Sequence, residues 1–403
     1  MIKKSIGVLS LSLLALVSLA DEGSDEAYQA FLQSRGEASW INAAADHPLA
    51  NTANRPIPPV ESFSSDPAKQ SLGFELFHDA RLSRSGTVSC SSCHTGMMGG
   101  ADGSRVSVGI DGLLGTRNSP TVFNSAFNFR QFWDGRAFDL DSQSLGPISN
   151  PVEMGHDLEA VLQSLATIPH YAEQFASIYS DGLTAANLGN AIAQHSRDMT
   201  RSDSRFNEYL SSAAATLSEQ ELRGWERFKA VGCASCHNGI NLGGNSYQKL
   251  GSAGSLSNAA MNAALDDGLF ARTGREHDRQ VFKVPSLNNV ALTAPYFHDG
   301  SVSTLEEAVR QMGLLNVGRE LSTADVTDIV SFLGSLSSEA MAGMSSRMGN
   351  MGNMGNMGNM GEMQQRMQQQ MRQHMQQMHH GQSMNHAQAH DANTDQAKKM
   401  RGH

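Results

Sequence analysis

Apolar residues recur at helical spacing in several short segments, and long loops separate these segments. The spacing predicts helices over 157–165, 188–199 and 324–336, and Ser322 or Thr323 is placed to cap the last of them. Runs with the alternation of a β-strand are few and short. The pattern therefore predicts an all-α fold in which short helices are joined by long loops.

The first 20 residues have the pattern of an export signal. Lys3 and Lys4 precede a mostly apolar run over 6–19, and Ala20 ends a stretch that suits a signal peptidase. A membrane anchor is the alternative, but a spanning helix needs about 20 apolar residues and this run is shorter. We therefore expect a signal peptide over 1–20, a periplasmic protein and no membrane partner.

Length and composition divide the rest of the chain. The 403 residues suffice for two domains of about 150 residues and a tail. We predict an N-terminal domain with a lead-in arm over 21–200, a C-terminal domain over 201–338 and a low-complexity tail over 339–403. The formal net charge of −10 argues against a nucleic-acid partner, because proteins that bind nucleic acids usually carry a basic surface.

The tail differs abruptly from the rest in composition. Fourteen of the 21 Met residues and six of the 15 His residues lie in 341–403. Met-Gly-Asn repeats over 348–360 contain too much Gly for a helix, whereas Met at every fourth position from 363 to 375 fits one helical face. Thioethers suit Cu(I), and imidazoles add ligands: His374, His379 and His380. A copper site and a functionless extension are the two interpretations.

All four Cys residues lie in two copies of the pentad Cys-x-x-Cys-His. Both thiols of such a pentad can form thioether bonds to a haem, and the adjoining His is held beneath the iron as proximal ligand. A zinc site leaves that His unexplained in both copies, and a redox disulfide does not need the motif twice. The sequence therefore predicts two covalently bound haem c groups. Their predicted ligands are Cys90, Cys93 and His94 for the first and Cys233, Cys236 and His237 for the second.

The sixth ligand of each iron decides what that haem can do. A Met in this position gives an electron-transfer haem of raised reduction potential, whereas an open position allows the haem to bind an oxidant. Met312 follows the second pentad at a separation typical of cytochrome c. A buried core Met on an amphipathic helix is the alternative, and we favour the ligand.

Residues from about 72 to 336 resemble the bacterial di-haem cytochrome c peroxidase family, which includes the MauG-type enzymes. The matching strings occur in the family's order and cover most of the chain outside the arm and the tail. They are LFHDARLSRSG at 76–86, GTRNSPT at 115–121, QFWDGRA at 131–137, GPI at 146–148, EM at 153–154, FKVPSL at 282–287 and LTAPYFHDG at 292–300.

The resemblance implies a division of labour between the two haems, each held in a cytochrome-c-like domain. The haem of His94 would bind hydrogen peroxide, and the haem of His237 and Met312 would pass on electrons. Three residues would serve the reaction, two beside the peroxide and one between the haems: Glu153, Gln143 and Trp133. Three others would surround a calcium ion, which prefers hard oxygen ligands: Asn118, Thr293 and Pro295.

Two positions depart from the family's pattern. The family usually has Arg where this chain has Asn288, so a charged partner for a haem carboxylate is expected to be missing. Many members carry a His that occupies the peroxide site until the second haem is reduced, and Ile110 stands in its place here. Because an Ile offers iron no lone pair, we expect a first haem that is open without prior reduction. The rival ligands nearby are Met97, Met98, Asp111 and His156.

The expected function is the reduction of hydrogen peroxide to water with electrons from a small cytochrome c or a cupredoxin, in a monomer or a homodimer. The alternative is a MauG-like oxidase that modifies a side chain of a partner protein. A Tyr tends to replace the relay Met in that branch, so Met312 favours the peroxidase. A non-enzymatic electron carrier or copper-handling protein is the third interpretation.

Overall fold

The computed structural model describes residues 53–60, 66–212, 216–253 and 266–343. The predicted signal peptide, most of the lead-in arm and the Met-rich segment beyond residue 343 lie outside the described residues. Within the described part, no helix is long and apolar enough to cross a membrane.

Helices dominate the regular structure, as the apolar spacing predicts. The described residues form α1 (Pro67–Phe77), α2 (Cys90–Cys93), α3 (Leu140–Ser149), α4 (Leu158–Ala166), α5 (Pro169–Ile178), α6 (Ala185–Asp198), α7 (Arg205–Ser212), α8 (Glu219–Val231), α9 (Phe270–Thr273), α10 (Leu305–Met312) and α11 (Thr323–Gly334). Strands β1 (Tyr247–Lys249) and β2 (Val281–Lys283) pair antiparallel, with Tyr247 opposite Lys283. Short 3₁₀ turns and loops connect these elements.

The helices predicted from spacing are present within a few residues of their expected bounds. α4 begins after Asp157, whose carboxylate accepts a hydrogen bond from the backbone N–H of Ala160. α6 begins three residues earlier than predicted, because Thr184 caps it through its hydroxyl. Ser322 and Asp325 form a reciprocal capping box at the start of α11. Polar caps, rather than the apolar pattern, set these boundaries.

A first hydrophobic core lies among α1, α3 and α6, with α1 and α3 both packed on α6. The crossing of α1 and α6 is close at Gly73, where a Cβ would lie 1.9 Å from the carbonyl oxygen of Ala191. Phe175 of α5 and Leu188 of α6 are fully buried in this core. A side chain at position 73 would therefore separate the helices that hold the core together.

A second core repeats the same arrangement with α8 and α11. A Cβ at Gly224 would lie 1.9 Å from the carbonyl oxygen of Asp328, so these helices also cross in close contact. The rings of Trp225 and Phe228 pack against that of Phe332, at centroid distances of 5.0 and 5.3 Å. The two cores lie on either side of position 200 in the sequence, where the domain boundary is predicted.

The packed region continues past residue 339, where the tail is predicted to begin. Met341 is buried, and the carboxylate of Asp203 accepts a 3.1 Å hydrogen bond from the backbone N–H of Ala340. The compact unit that holds both cores ends at Ser345. The change in composition near residue 339 therefore precedes the end of the packed structure by several residues.

Candidate active site

The first pentad is folded into the single helical turn α2. The Ser92 hydroxyl accepts a 3.0 Å hydrogen bond from the backbone N–H of Ser89, which closes the N-terminal end of the turn. Cys90 and Cys93 are three residues apart, so they share one face of the turn. Both are free thiols, as are the two Cys of the second pentad. All four thiols are therefore available for thioether bonds.

The imidazole of His94 is oriented by its own Nδ1, which lies 3.1 Å from the carbonyl oxygen of Gly100. Nδ1–H donates to that oxygen, which leaves the lone pair on Nε2. Burial lowers the pKa of His94, so the ring is neutral at pH 7. A neutral imidazole with an unshared Nε2 pair is what coordination to iron requires.

The second pentad repeats this geometry from a 3₁₀ turn over Cys233–Ser235. Nδ1 of His237 lies 3.2 Å from the carbonyl oxygen of Leu242, so Nε2 again keeps the lone pair. Burial lowers the pKa of His237 to about 4. Both pentads therefore present a half-buried, neutral His in the tautomer that binds iron.

A cavity of about 1210 Å³, the first cavity, opens beside the first pentad. Its wall contains the three predicted haem-binding residues of that pentad together with the three predicted to serve the reaction: Glu153, Gln143 and Trp133. This volume lies above the range of about 300–1,000 Å³ that is typical of ligand pockets. Two free thiols and a neutral His beside a space of this size fit a covalently attached haem.

The carboxyl group of Glu153 is fixed in this wall by Asn150, whose Nδ2–H donates to Glu153 Oε1 over 2.6 Å. Burial raises the pKa of Glu153 and outweighs the opposing effects of the Arg136 charge and the Asn150 hydrogen bond. The structure thus places an oriented carboxyl group of raised pKa in the same cavity as His94.

A second cavity of about 270 Å³ adjoins the second pentad, and Met312 stands in its wall with His237. Met312 is the last residue of α10, directly before a π-helical turn over Gly313–Val317. Its side chain packs with those of Trp133 and Phe297 against a small apolar cluster. A neutral His and a thioether on one cavity fit a haem of the electron-transfer type.

The two cavities share part of their walls, and Trp133 belongs to both. Its indole Nε1–H donates to the carbonyl oxygen of Asn118 over 2.9 Å, and its own carbonyl oxygen accepts from the backbone N–H of Lys283 over 2.8 Å. His298 also belongs to both walls, with its ring centroid 6.4 Å from that of Trp133. The predicted aromatic residue therefore lies between the two pentad cavities.

The three residues predicted to surround calcium lie together in the wall of the second cavity: Asn118, Thr293 and Pro295. The Asn118 amide donates to the carbonyl oxygens of Ser104 and Arg105, at 2.9 and 3.4 Å. Among the described residues, no group of three or more His, Cys, Asp and Glu side chains could hold a metal ion. Calcium at this position would therefore depend on carbonyl, amide and hydroxyl oxygens.

Ile110 points into the first hydrophobic core and is fully buried there, whereas its neighbour Gly109 lines the first cavity. Asp111 instead pairs with Arg84 over 2.8 Å on the surface. Met98 is 41% exposed, and His156 donates its backbone N–H to the Ile148 carbonyl oxygen over 2.8 Å. In the described part of the chain, Met98, Asp111 and His156 do not line the first cavity.

Asn288, the other departure from the family's pattern, is 5% exposed and lies outside both cavity walls. Its amide donates to the side-chain oxygen of Asn241 over 3.0 Å, and Asn241 donates in turn to Asn128 over 3.1 Å. Position 288 therefore belongs to a network of asparagine side chains and contributes no charge to either cavity.

Three residues of these walls were not predicted from the sequence to be site residues. Arg136 lines the first cavity with its guanidinium 3.4 Å from the centroid of the Phe132 ring, and Asn150 holds Glu153. Lys283 lines the second cavity. Arg136 and Lys283 lie inside the strings that carry the resemblance. The sequence therefore showed two basic residues there, but not that their side chains line the cavities. Nothing in the sequence marks Asn150.

Two His-bearing pentads, each beside its own cavity and joined by a shared wall, define a di-haem c-type redox protein. A profile of the di-haem cytochrome c peroxidase family matches residues 67–215. The cytochrome c551 peroxidase of Nitrosomonas europaea is 44% identical over 283 residues, which are 70% of this chain and 84% of that protein. The chain belongs to the di-haem cytochrome c peroxidase family and is an oxidoreductase of the peroxidase class.

Two further relatives widen this comparison. The cytochrome c peroxidase Ccp of Escherichia coli is 43% identical over 282 residues, which are 70% of this chain but only 60% of the E. coli protein. A crystal structure of a MauG-like protein associated with microbial copper homeostasis superposes with a TM-score of 0.62 at 28% identity. That match covers 72% of this chain and 95% of the other.

Proposed function

We propose that this protein reduces hydrogen peroxide to water at the first cavity, with electrons that enter at the second. The observation that carries the proposal is the presence of Glu153, Gln143 and His94 in one cavity wall, with the pKa of Glu153 raised by burial. A pure electron carrier has no use for an oriented carboxyl group of raised pKa beside its prosthetic group.

The residues that would hold the two haems are those of the pentads, with Met312 as the sixth ligand of the second. When bound, the haems supply the redox chemistry, one as the site of the oxidant and the other as the relay. In this proposal the N-terminal domain over 21–200 carries the first and the C-terminal domain over 201–338 the second.

Glu153 is the group that moves the proton. Cleavage of the peroxide O–O bond requires a proton to leave one oxygen and arrive at the other, which then departs as water. A carboxylate can accept the proton and return it, and the 2.6 Å hydrogen bond from Asn150 holds Oε1 in a fixed position for both steps. The complete reaction consumes two electrons and two further protons and yields two molecules of water.

Gln143 and Trp133 have different tasks. The amide of Gln143 carries both a donor and an acceptor, so it can orient the peroxide and stabilise the charge that develops on its oxygens. Trp133 lines both cavities, which makes it the side chain best placed to shorten the path of an electron between them. One hydrogen bond of its indole N–H and one of its backbone carbonyl oxygen fix it in that wall.

The electrons would come from a small cytochrome c or a cupredoxin, and the protein would act in the periplasm. The names of the relatives refer to cytochrome c or cytochrome c551, which supports a c-type donor. We also propose calcium near Asn118, Thr293 and Pro295. The homodimer also stays a prediction.

Steady-state turnover tests the proposal most directly. The holoprotein is mixed with hydrogen peroxide and a reduced small cytochrome c, and oxidation of the donor is followed by absorbance. Peroxide-dependent oxidation by wild type that is lost in Glu153→Gln, but kept in Glu159→Gln on the exposed surface of α4, supports the proposal. Equal rates in all three proteins would refute the role of Glu153.

Copper handling is a second candidate function, because the MauG-like structural relative is associated with microbial copper homeostasis and this chain ends in a Met- and His-rich tail. A MauG-like oxidation of a partner side chain would rest on the same relative. Met312 in the wall of the second cavity favours the peroxidase.

A further inference from the structure

Lys283 lies in β2, and two neighbouring segments fix its backbone. Its backbone pairs with Tyr247 across the sheet, and its N–H donates to the Trp133 carbonyl oxygen over 2.8 Å. The residue is 7% exposed and lines the second cavity. The Lys283 side chain therefore belongs to the wall of a cavity that is lined mainly by apolar residues.

No carboxylate accompanies the Lys283 ammonium group. The wall of the second cavity, as the described residues define it, contains no Asp or Glu, and no ion pair of Lys283 occurs among those residues. Burial lowers the pKa of Lys283 to about 8, with no opposing contribution from a neighbouring acid. Buried lysines are rare unless they are paired, because the charge loses its hydration. The cavity thus has a cationic group that lacks an anionic partner.

Position 288, where the family usually has an Arg, contributes no positive charge. Asn288 is engaged with Asn241 over 3.0 Å and lies outside the cavity wall. The two His residues of that wall, His237 and His298, both have a pKa lowered by burial and are neutral at pH 7. Lys283 is therefore the cationic side chain of the second cavity within the described structure.

We infer that Lys283 is the carboxylate-binding residue of the second cavity and pairs with a propionate group of the haem attached there. The inference rests on the proposed second haem. A cation in this wall stabilises the reduced iron relative to the oxidised iron, because the reduced group carries one positive charge less. Lys283 is thus a positioning residue that raises the reduction potential of the relay and ties the propionate edge to the backbone of Trp133.

The test is a potentiometric titration of the holoprotein, followed by the absorbance of the low-spin haem. Lys283→Met keeps most of the volume and removes the charge, Lys283→Gln keeps a donor, and Lys283→Arg restores the charge. Lys249→Met is the matched control, since Lys249 lies exposed on the partner strand β1. We expect both uncharged variants to lower the reduced-to-oxidised ratio at a fixed potential by about tenfold, which is 59 mV for one electron.

Lys283→Arg should retain most of the wild-type potential, and Lys249→Met should retain all of it. Resonance Raman bands of the propionate groups should shift in Lys283→Gln and return in Lys283→Arg. Wild-type potentials and propionate bands in both uncharged variants would overturn the inference. Failure of the proposed function is distinguishable, because a wild-type protein that lacks a second haem or lacks peroxide turnover is recognised before any Lys283 variant is made.

Discussion

Trp133 donates its indole N–H to the carbonyl oxygen of Asn118 over 2.9 Å, and both residues belong to the wall that the two cavities share. The same tryptophan accepts a backbone hydrogen bond from Lys283 of β2. A segment that follows the first pentad is thereby joined to one that follows the second. The backbone hydrogen bonds around one aromatic side chain therefore fix the walls of the two cavities relative to each other.

Trp133→Phe keeps an aromatic ring in the wall but removes the indole N–H. The Asn118 carbonyl then loses a buried donor, at a cost of about 1 kcal/mol in the free energy of unfolding. We expect peroxide turnover to fall roughly tenfold, the equivalent of ~1.4 kcal/mol in activation free energy. Trp225→Phe in the second core is the control, because Trp225 lines neither cavity. Donor oxidation rates and chemical denaturation measure the two effects, and equal turnover in both variants would contradict the role of Trp133.

Thioether attachment predicts that both haems stay with the polypeptide after denaturation and acid–acetone extraction. Intact mass should show two haem groups on the mature protein. The double variants Cys90→Ser/Cys93→Ser and Cys233→Ser/Cys236→Ser each remove both thioether bonds of one pentad, so each should release one haem under the same treatment. A wild-type mass with one haem or none would rule out the assignment of the pentads.

Glu153→Gln should lower kcat/KM by roughly 10²–10⁴, the usual contribution of a positioned acid–base group. The acid limb of the wild-type kcat/KM profile should lie above the pH range of an ordinary carboxyl group, because burial raises the pKa of Glu153 and the base is active only when ionised. Activity is therefore lost as the pH falls through this raised pKa.

The stability of the same variant separates catalysis from structure. A carboxyl group whose pKa is raised by folding destabilises the folded state when it is ionised, and this penalty is relieved as the pH falls through the raised pKa. Glu153→Gln should therefore unfold at the same or a higher temperature than wild type at pH 7, while its activity falls. A large loss of thermal stability would indicate a structural role instead.

The sequence predicted the helices well, because helical spacing is a local signal. The pentads are also a local signal, and the roles assigned to their individual residues stay predictions. Ser322 and Asp157 mark helix starts directly in the sequence. The shared wall could not be predicted from local pattern, since it joins Trp133 to Asn118 and Lys283, the latter 150 positions along the chain. Only the resemblance to known peroxidases suggested a role for Trp133, and the burial of Lys283 required the folded chain.

Truncation tests the proposed copper site of the tail. Met341 is buried in the packed region, so removal of 341–403 would damage the fold, and the deletion should begin after Ser345, where the compact unit ends. We expect the shortened protein to lose Cu(I) binding in a competition assay with a chromogenic chelator, because the thioethers and imidazoles of the tail are gone. Its peroxide turnover should stay unchanged. Undiminished copper affinity after truncation would place the site elsewhere.

The oxidised enzyme should react with peroxide as isolated, without prior reduction of the second haem. Ile110 offers no lone pair and points into the first core, and in the described structure Met98, Asp111 and His156 lie outside the first cavity wall. The measurement is electron paramagnetic resonance of the oxidised protein, followed by rapid mixing with peroxide before any reductant is added. We expect a high-spin signal from one haem and prompt reaction.

Ile110→His and Ile110→Val complete this test. The backbone N–H of Ile110 donates to the Glu153 carbonyl oxygen over 2.9 Å, which keeps position 110 next to Glu153. The Ile110 side chain packs in the first core, so a His introduced there must turn toward the first cavity, which its neighbour Gly109 lines, whereas Val keeps the apolar contact. Ile110→His should convert the high-spin signal to low-spin and make activity depend on prior one-electron reduction, and Ile110→Val should behave as wild type. Two low-spin haems in the oxidised wild-type protein, with activity only after reduction, would contradict the prediction. Another side chain would then coordinate the first iron, and Ile110 would not leave its sixth position open.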